Sequence, residues 1–269
     1  MTRREALARL GVASLLALGF GPGCHSAGRG ASGRPFRFIV VNDLHHGAPE
    51  CEPYFAALIR QMQTHHEVEF VLLLGDQADT GKAADLTAIR DHFQKLGVPF
   101  YAVPGNHDYL TPTDRRPYEE VFPGRINYWF EHRGWQFVGL DSTQGTDYQN
   151  TRIQAATLGW LDATLPKLDH DKPTVVFTHF PLGEGVPMRP LNADEVLRRF
   201  AGFNLKGVFG GHHHAFTERR FQGAEVVTDR CCSRLRDNHD GSKAEGYWLV
   251  TAVNDRLARE FIEFPPPNV

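Results

Sequence analysis

The sequence lacks an excess of basic residues, a long hydrophobic run and, after residue 34, any low-complexity segment. Its 29 Lys and Arg residues are outnumbered by 32 Asp and Glu residues, so the net charge is −3 over 269 residues. We therefore expect no stable binding to nucleic acid, which usually requires a basic patch. Hydrophobic residues make up 41% and charged residues 23%, which is typical of a globular chain with a sizeable core and excludes a disordered or fibrous one.

The first 34 residues have the three-part pattern of an export signal. A basic start with Arg3 and Arg4 precedes an uncharged apolar run over 10–20, and small, Gly-rich residues follow. A membrane-spanning helix needs about 20 apolar residues, roughly twice the length of this run, so a transmembrane anchor is not expected. The paired arginines resemble a twin-arginine signal, so we expect export to the periplasm or cell surface. Residues 1–34 would be signal and linker and 35–269 one domain, the alternative being a disordered N-terminal tail.

The sequence has only four cysteines. They raise two questions: whether the N-terminus carries a lipid anchor, and whether the domain contains a disulfide. Cys24 stands where the acylated cysteine of a lipoprotein would lie, so a lipid anchor is an alternative to a cleaved signal. Export also permits disulfides. Cys231 and Cys232 are adjacent, and adjacent cysteines rarely form a disulfide with each other because the bond strains the peptide between them. Either Cys51 pairs with one of them, or all three are reduced, buried thiols.

Beyond the N-terminal segment, apolar strands and amphipathic helices alternate. Strands are predicted over 36–41, 68–74 and 98–103, with helices over 53–64 and 84–96 between them. This order is typical of parallel βαβ units, and continuous apolar strands suit a sheet that is covered on both faces.

The second half follows the same plan more loosely, and no fixed repeat or linker divides it. It contains a hairpin, two helices and further strands, predicted in this order over 128–140, 154–168, 174–177, 192–201, 206–209, 216–221, 247–253 and 258–264. The whole segment is therefore an α/β domain.

Polar clusters follow five of the predicted strands. They begin at Asp43, Asp76, Asn106, His179 and His212. Because ligand sites in open α/β sheets lie outside the carboxyl ends of the strands, the five clusters can converge on one crevice.

The residue types in these clusters suit a pair of divalent metal ions. Carboxylate, imidazole and amide oxygen are present without a thiolate, which favours Mn, Fe, Zn or Ni over a structural sulfur site. Asp43 and His45 are two residues apart, so in an extended segment they share a face, and His212 and His214 do the same. One carboxylate such as Asp76 can bridge two ions about 3.5–4 Å apart.

The ordered series D-x-H, G-D-x-x-D, G-N-H-D, H and G-H-x-H resembles the calcineurin-like metallophosphoesterase superfamily. The resemblance covers essentially all of residues 36–269. It implies a four-layer αββα sandwich, with two mixed sheets flanked by helices and a dinuclear metal site at the carboxyl ends of the strands. It also implies hydrolysis of a small phosphate ester by a metal-bridging hydroxide, with two divalent ions as cofactors.

The resemblance assigns a role to each matching residue. One metal ion would be held by Asp43, His45, Asp76 and His214, and the other by Asp76, Asn106, His179 and His212. His107 would be the general acid that protonates the leaving oxygen, while Asp79 and Asp108 would orient the site.

Two residues differ from those found in particular groups of the superfamily, which makes membership of those groups unexpected. Thr80 stands where protein Ser/Thr phosphatases have Arg, and Asp79 where purple acid phosphatases have Tyr. The stretch 127–142 with Trp160 resembles the branch that includes bacterial cyclic-nucleotide phosphodiesterases. We therefore expect phosphodiesters or nucleotides as substrates. A phosphate-scavenging phosphomonoesterase and a non-catalytic binding module on the same fold are the alternatives.

Several polar residues near these motifs have simpler interpretations. His46 and His213 lie beside predicted ligands and are expected to point away from them. A polar loop after Cys232 contains Arg234 and Arg236; such a loop is usually solvated, but the strand order can bring it over the metal site to contact phosphate.

Overall fold

The first β-sheet has five strands, of which three are parallel. The computed structural model describes residues 34–265, so the predicted export segment and Cys24 lie outside the described residues. The strand order is β11 (Arg256–Glu263), β10 (Gly246–Val253), β1 (Phe36–Val41), β2 (Val68–Leu74) and β3 (Phe100–Val103). β1 pairs in parallel with β2, with Ile39 opposite Val71, and antiparallel with β10, with Phe36 opposite Ala252.

The second β-sheet has six strands, all of which lie within residues 128–228. The strand order is β4 (Tyr128–His132), β5 (Trp135–Leu140), β6 (Thr174–Thr178), β7 (Leu205–Gly210), β9 (Ala224–Thr228) and β8 (Thr217–Phe221). The four inner strands are parallel, and the two edge strands are antiparallel to their neighbours. Both sheets are therefore mixed, as expected.

The two sheets pack face to face, and helices cover the outer face of each. In β1, Ile39 faces the helices while Phe38 faces the other sheet, because successive side chains in a strand alternate. Phe38 stacks on Phe70 with ring centroids 5.0 Å apart, and Phe70 meets Phe137 of the second sheet edge-on at 5.1 Å. The continuous apolar strands are thus explained by burial on both faces.

Five helices form the outer layers. The first sheet is covered by α1 (Cys51–Met62), α2 (Ala83–Gln94) and α3 (Arg116–Val121), and the second by α4 (Ala155–Thr164) and α5 (Ala193–Arg199). The order helix, sheet, sheet, helix confirms the predicted four-layer αββα sandwich.

The sequence interpretation missed or misplaced a few elements. β9 and α3 were not expected. β9 follows a tight hairpin turn in which Gln222 and Gly223 both have positive φ, of 47° and 92°, and this signal was overlooked. The helix predicted over 154–168 is shorter, since Pro166 disfavours helical backbone before it, and Leu165–Lys167 forms a 3₁₀ turn.

The described cysteines are all free, buried thiols. Of the two alternatives, the structure has reduced Cys51, Cys231 and Cys232 rather than a disulfide. Within residues 34–265, no helix has the length and apolar character needed to cross a membrane.

Candidate metal centre

The five polar clusters converge at the carboxyl ends of β1, β2, β3, β6 and β7. All seven predicted ligands are buried there: Asp43, His45, Asp76, Asn106, His179, His212 and His214. Ionisable side chains are rarely buried in such number unless they are paired or bind a cation.

Three of these side chains form a first cluster beside β1. His214 Nε2 lies 3.2 Å from Asp43 Oδ1 and 3.4 Å from His45 Nε2. The three ligand atoms lie within 4.8 Å of one another, which is close enough for one metal ion to contact them all.

A second cluster surrounds His179. Its Nε2 atom lies 3.1 Å from His212 Nδ1, 3.1 Å from Asn106 Oδ1 and 3.3 Å from Asp76 Oδ2. Two imidazoles, an amide oxygen and a carboxylate thus face one point.

Asp76 connects the two clusters. Its Oδ2 atom lies 3.3 Å from His179 Nε2 in the second cluster and 3.6 Å from His45 Nε2 in the first. The other carboxylate oxygen, Oδ1, accepts a hydrogen bond of 2.8 Å from the backbone N–H of His107. Asp76 is therefore held in the position of a carboxylate that bridges two cations.

Backbone carbonyls orient the histidines. The outer ring nitrogen of each of three imidazoles donates to a carbonyl at 2.7 to 3.1 Å: His179 to Leu74, His212 to Tyr148 and His214 to Asp237. A carbonyl can only accept, so each inner nitrogen is left with a lone pair directed into the site.

The inner nitrogens form two face-to-face pairs. His179 Nε2 faces His212 Nδ1 at 3.1 Å, and His45 Nε2 faces His214 Nε2 at 3.4 Å. Two lone pairs at such distances repel, so each pair must share either a proton or a metal ion. Asp43 Oδ1 is also buried and lies 3.2 Å from His214 Nε2 of the first cluster. The donor set therefore fits two divalent cations, with imidazole, carboxylate and amide ligands.

The pKa values show the same demand for positive charge. Burial lowers the pKa of an imidazole, yet the carboxylate of Asp43 raises the pKa of His214 to about 11. Asp76 similarly raises the pKa of His179 to about 9 against the effect of burial. Burial and the neighbouring His179 lower the pKa of His212 to about 3. In each pair, therefore, one imidazole has a raised pKa because a buried carboxylate lies beside it.

His107 lies at the open side of the site and is half-buried. Its Nδ1 atom donates to the backbone carbonyl of Asp79 at 2.8 Å, which leaves Nε2 without an intramolecular partner among the described residues. The ring is 4.7 Å from that of His45, and a ring nitrogen lies within 4.8 Å of ligand atoms of His45 and Asp76. This position suits proton transfer at the site, and its assignment as general acid stays a prediction.

Asp79 and Asp108 contact the surroundings of the ligands. The carboxylate of Asp79 lies 3.2 Å from His45 Nδ1 and accepts from Arg236; hydrogen bonding to His45 and then to Arg236 lowers the Asp79 pKa to about 2. Asp108 accepts from the backbone N–H groups of Ala78 and Gly105, which joins the loops after β2 and β3. Burial, followed by the charge of Asp76, raises the pKa of Asp108 to about 8.

The backbone at the ligands is not extended, and here the sequence reasoning was wrong. Asp43 and His45 have φ of 55° and 49°, and His212 and His214 have φ of 65° and 47°. These left-handed residues turn the chain at the strand ends, so the paired side chains converge through turns rather than through strand alternation. Non-glycine residues in this region cost about 1–3 kcal/mol each, and such strain is concentrated at functional sites.

Glycine permits the close backbone approach in these turns. A Cβ atom on Gly105 would lie 2.1 Å from Asp76 Oδ1, and one on Gly211 would lie 2.7 Å from Asp43 Oδ2. Both glycines precede predicted ligands, as the sequence pattern indicated.

The centre opens into a cleft of about 520 Å³. Its lining includes Asp76, His107, Tyr148, Met188, Arg236 and His239.

The family profile of calcineurin-like phosphoesterases matches residues 36–216, which contain all seven ligands. The chain belongs to the calcineurin-like phosphoesterase family.

Individual relatives within this family are similar over different lengths. The chain is 26% identical over 156 residues to a 3′,5′-cyclic-nucleotide phosphodiesterase of a Nostoc species, which aligns 55% of this chain with 57% of the relative. It therefore spans little more than half the length of that protein. A probable cyclic nucleotide phosphodiesterase of Psychrobacter arcticus is 26% identical over 231 residues, covering 77% of this chain and 82% of the relative.

The fold is also found in solved structures. A purple acid phosphatase from yellow lupin superposes with a TM-score of 0.63 at 15% identity, covering 86% of this chain and 52% of the lupin chain. At this identity the similarity shows the family's fold alone.

Some contributors to this candidate metal centre have no sequence signal. The carbonyls of Leu74, Tyr148 and Asp237 orient ligands, but any residue type supplies a carbonyl, so only the fold reveals them. His46 points away from the centre, as expected. Its ring lies 2.9 Å from Asp85 and 3.1 Å from Glu52 at the starts of two helices.

Proposed function

We propose that this chain is a dinuclear metal-dependent hydrolase of small phosphate esters, acting on phosphodiesters or nucleotides. The proposal rests on two pairs of imidazole nitrogens that face each other, at 3.1 Å between His179 and His212 and at 3.4 Å between His45 and His214. The carboxylate of Asp76 lies between the two pairs. With the carboxylates of Asp43 and Asp76 and the amide of Asn106 beside them, the two pairs complete a buried donor set of the kind that binds two cations.

The predicted ligand set divides between two ions that share one residue. One ion would be held by Asp43, His45, Asp76 and His214, and the other by Asp76, Asn106, His179 and His212. When bound, such ions neutralise the charge of a phosphate ester and bring the pKa of a bound water towards neutrality. No residue of this set is missing, which favours an enzyme over a non-catalytic binding module.

His107 supplies the proton for the leaving group in this proposal. The Asp79 carbonyl fixes one proton on Nδ1, so the proton that is transferred is carried on Nε2, which faces the cleft. The backbone N–H of the same residue donates to Asp76. The acid and the shared ligand are therefore fixed relative to each other.

Relatives support phosphodiesters as the substrate class. The two reported bacterial relatives are named as a cyclic-nucleotide phosphodiesterase and a probable one. The cleft of about 520 Å³ is also large enough for a nucleotide-sized ester.

A substrate panel tests the proposed function. Purified metal-free protein is loaded with Mn²⁺, Fe²⁺, Zn²⁺ or Ni²⁺ and assayed with matched mono-, di- and cyclic phosphate esters. We expect metal-dependent turnover with the highest kcat/KM for diesters or cyclic nucleotides. A strong preference for monoesters would favour the phosphomonoesterase alternative, and no turnover with any metal would favour a binding module.

We also propose that residues 1–34 direct export, and that the mature protein is periplasmic or at the cell surface, with or without a lipid on Cys24. The support is the basic start, the short apolar run and the position of Cys24 in the sequence. Mass spectrometry of the cell-derived mature chain tests this, and an intact Met1 on cytoplasmic protein would contradict it.

A further inference from the structure

A loop after β9 lies over the first ligand cluster. The Asp237 carbonyl of this loop accepts from His214 Nδ1 at 3.1 Å, and the backbone N–H of His239 donates to the carbonyl of His214 at 3.0 Å. The His239 ring stacks on that of His214 with centroids 5.1 Å apart. The loop is thus held against a metal ligand and forms one side of the cleft.

Arg236 extends from this loop to Asp79. Its Nε and Nη2 atoms both donate to the same oxygen, Asp79 Oδ1, at 2.8 and 2.5 Å. A guanidinium that serves only a carboxylate usually forms two parallel bonds to its two oxygens. Here one edge converges on one oxygen, so the arrangement is not the full bidentate pair.

The other edge of the guanidinium is free. Among residues 34–265, no group accepts a hydrogen bond from Arg236 Nη1, and the side chain is 40% exposed. An ion pair exposed to this extent stabilises a fold little. The geometry therefore resembles a donor that is fixed through one edge and available through the other.

Arg236 also differs from the other residues that line the cleft in carrying a permanent positive charge. Of the described residues that line it, Arg236 is the only Lys or Arg, whereas His45, His107, His212, His214 and His239 are imidazoles. A planar guanidinium matches the oxygens of a phosphoryl group and keeps its charge at every physiological pH.

We propose that Arg236 is a substrate-binding residue, held by Asp79 so that its free edge donates to a non-bridging oxygen of the substrate's phosphoryl group. This inference rests on the proposed function, because it takes the ligand of the cleft to be a phosphate ester. The rival interpretation is a latch, in which Arg236 only ties the loop to Asp79.

The test measures binding of inorganic phosphate to the metal-loaded protein by calorimetry, with bound metal counted in the same samples. The variants are Arg236→Ala and Arg236→Lys. The matched control is Arg234→Ala, which removes the same charge from an exposed residue two positions away that does not line the cleft. We expect Arg236→Ala to weaken phosphate binding about 10- to 100-fold, the range for a hydrogen bond to a charged group. Arg236→Lys should restore part of the loss, and Arg234→Ala should bind as wild type does.

Other results overturn the inference. Phosphate binding that is equal in Arg236→Ala and wild type, or weakened as much by Arg234→Ala, excludes a specific contact. Loss of metal from both Arg236 variants identifies a latch. The binding measurement is independent of turnover: a wild-type protein that binds phosphate through Arg236 but hydrolyses no ester contradicts the proposed function alone. An active enzyme whose phosphate affinity and KM ignore Arg236 contradicts this inference alone.

Discussion

At the scale of single residues, the metal centre depends on the hydrogen bonds made by the ring nitrogens that point away from it. His179, His212 and His214 are oriented by carbonyls at 2.7 to 3.1 Å, and these contacts decide which ring nitrogen carries the proton. The inward lone pairs follow from this arrangement. The resemblance to the superfamily implied the ligands, but the tautomers depend on the fold.

His107→Ala tests the proposed general acid, which lines the cleft. Loss of a proton-transfer group typically lowers the rate by about 10²–10⁴-fold, and we expect turnover to fall within that range. The fall should be larger for an alkyl ester than for a nitrophenyl ester, whose leaving group departs without a proton.

The comparison of leaving groups separates the roles of His107. Equal losses with both esters would make His107 a phosphate-binding residue. Loss of bound metal would make it a ligand, as its nearness to His45 and Asp76 permits. Steady-state kinetics on both esters and metal analysis together decide among these roles.

Asp76→Asn tests the residue shared by the two clusters. Its Oδ2 atom lies within 3.6 Å of a histidine from each cluster, so loss of the carboxylate charge should weaken both metal sites and abolish turnover. Asp91→Asn, which changes an exposed aspartate on α2, is the matched control and should retain both metals and activity. Metal content after dialysis is the measurement, and full metal content in Asp76→Asn would contradict the bridging role.

At the scale of elements, strand ends bring the ligands together through turns with left-handed residues. The strand over 68–74 is predicted from sequence with the bounds that the structure shows, because an apolar run between polar turns leaves few alternatives. The geometry at Asp43 and His45 was not predictable in the same way. Positive φ at non-glycine residues is imposed by surrounding structure, here by contacts between loops that are far apart in sequence.

Two further differences at this scale have local physical causes. The end of α4 at Thr164 follows from Pro166, which a closer reading of the sequence would have found. Asn192 immediately precedes α5, where a side chain of this type usually caps the helix, but here it bonds to the backbone of Ile153 instead. Tertiary contact thus replaced a local preference.

Gly105→Ala tests the close approach between the loops after β2 and β3. A new Cβ atom would lie 2.1 Å from Asp76 Oδ1 and 2.3 Å from its backbone nitrogen, so the loops must separate. We expect loss of metal affinity and a lower free energy of unfolding. Gly159→Ala is the control: it lies within α4 with nothing within 4 Å of the new atom and should stabilise the protein by about 0.5–1 kcal/mol. Denaturant unfolding and metal titration measure both effects, and unchanged metal affinity in Gly105→Ala would contradict the account.

At the scale of the whole molecule, strands of two different sheets contribute to one centre. Asp43, Asp76 and Asn106 follow strands of the first sheet, while His179 and His212 follow strands of the second. The aromatic layer around Phe38, Phe70 and Phe137 holds the sheets together. Alternation of strands and helices predicted an α/β domain, whereas the resemblance carried by the ordered motifs implied the four layers and the shared site. The sequence left two alternatives for the loop that carries Arg236, a solvated loop or one over the metal site, and the structure shows the second.

The most direct test of the central claim is the number of metal ions per active chain. Metal-free protein is titrated with Mn²⁺, while bound metal and hydrolysis of a diester are measured in the same samples. Because Asp76 joins the two ligand sets, we predict that activity rises with the second ion and reaches its maximum at two ions per chain. Full activity at one ion per chain would contradict the dinuclear centre.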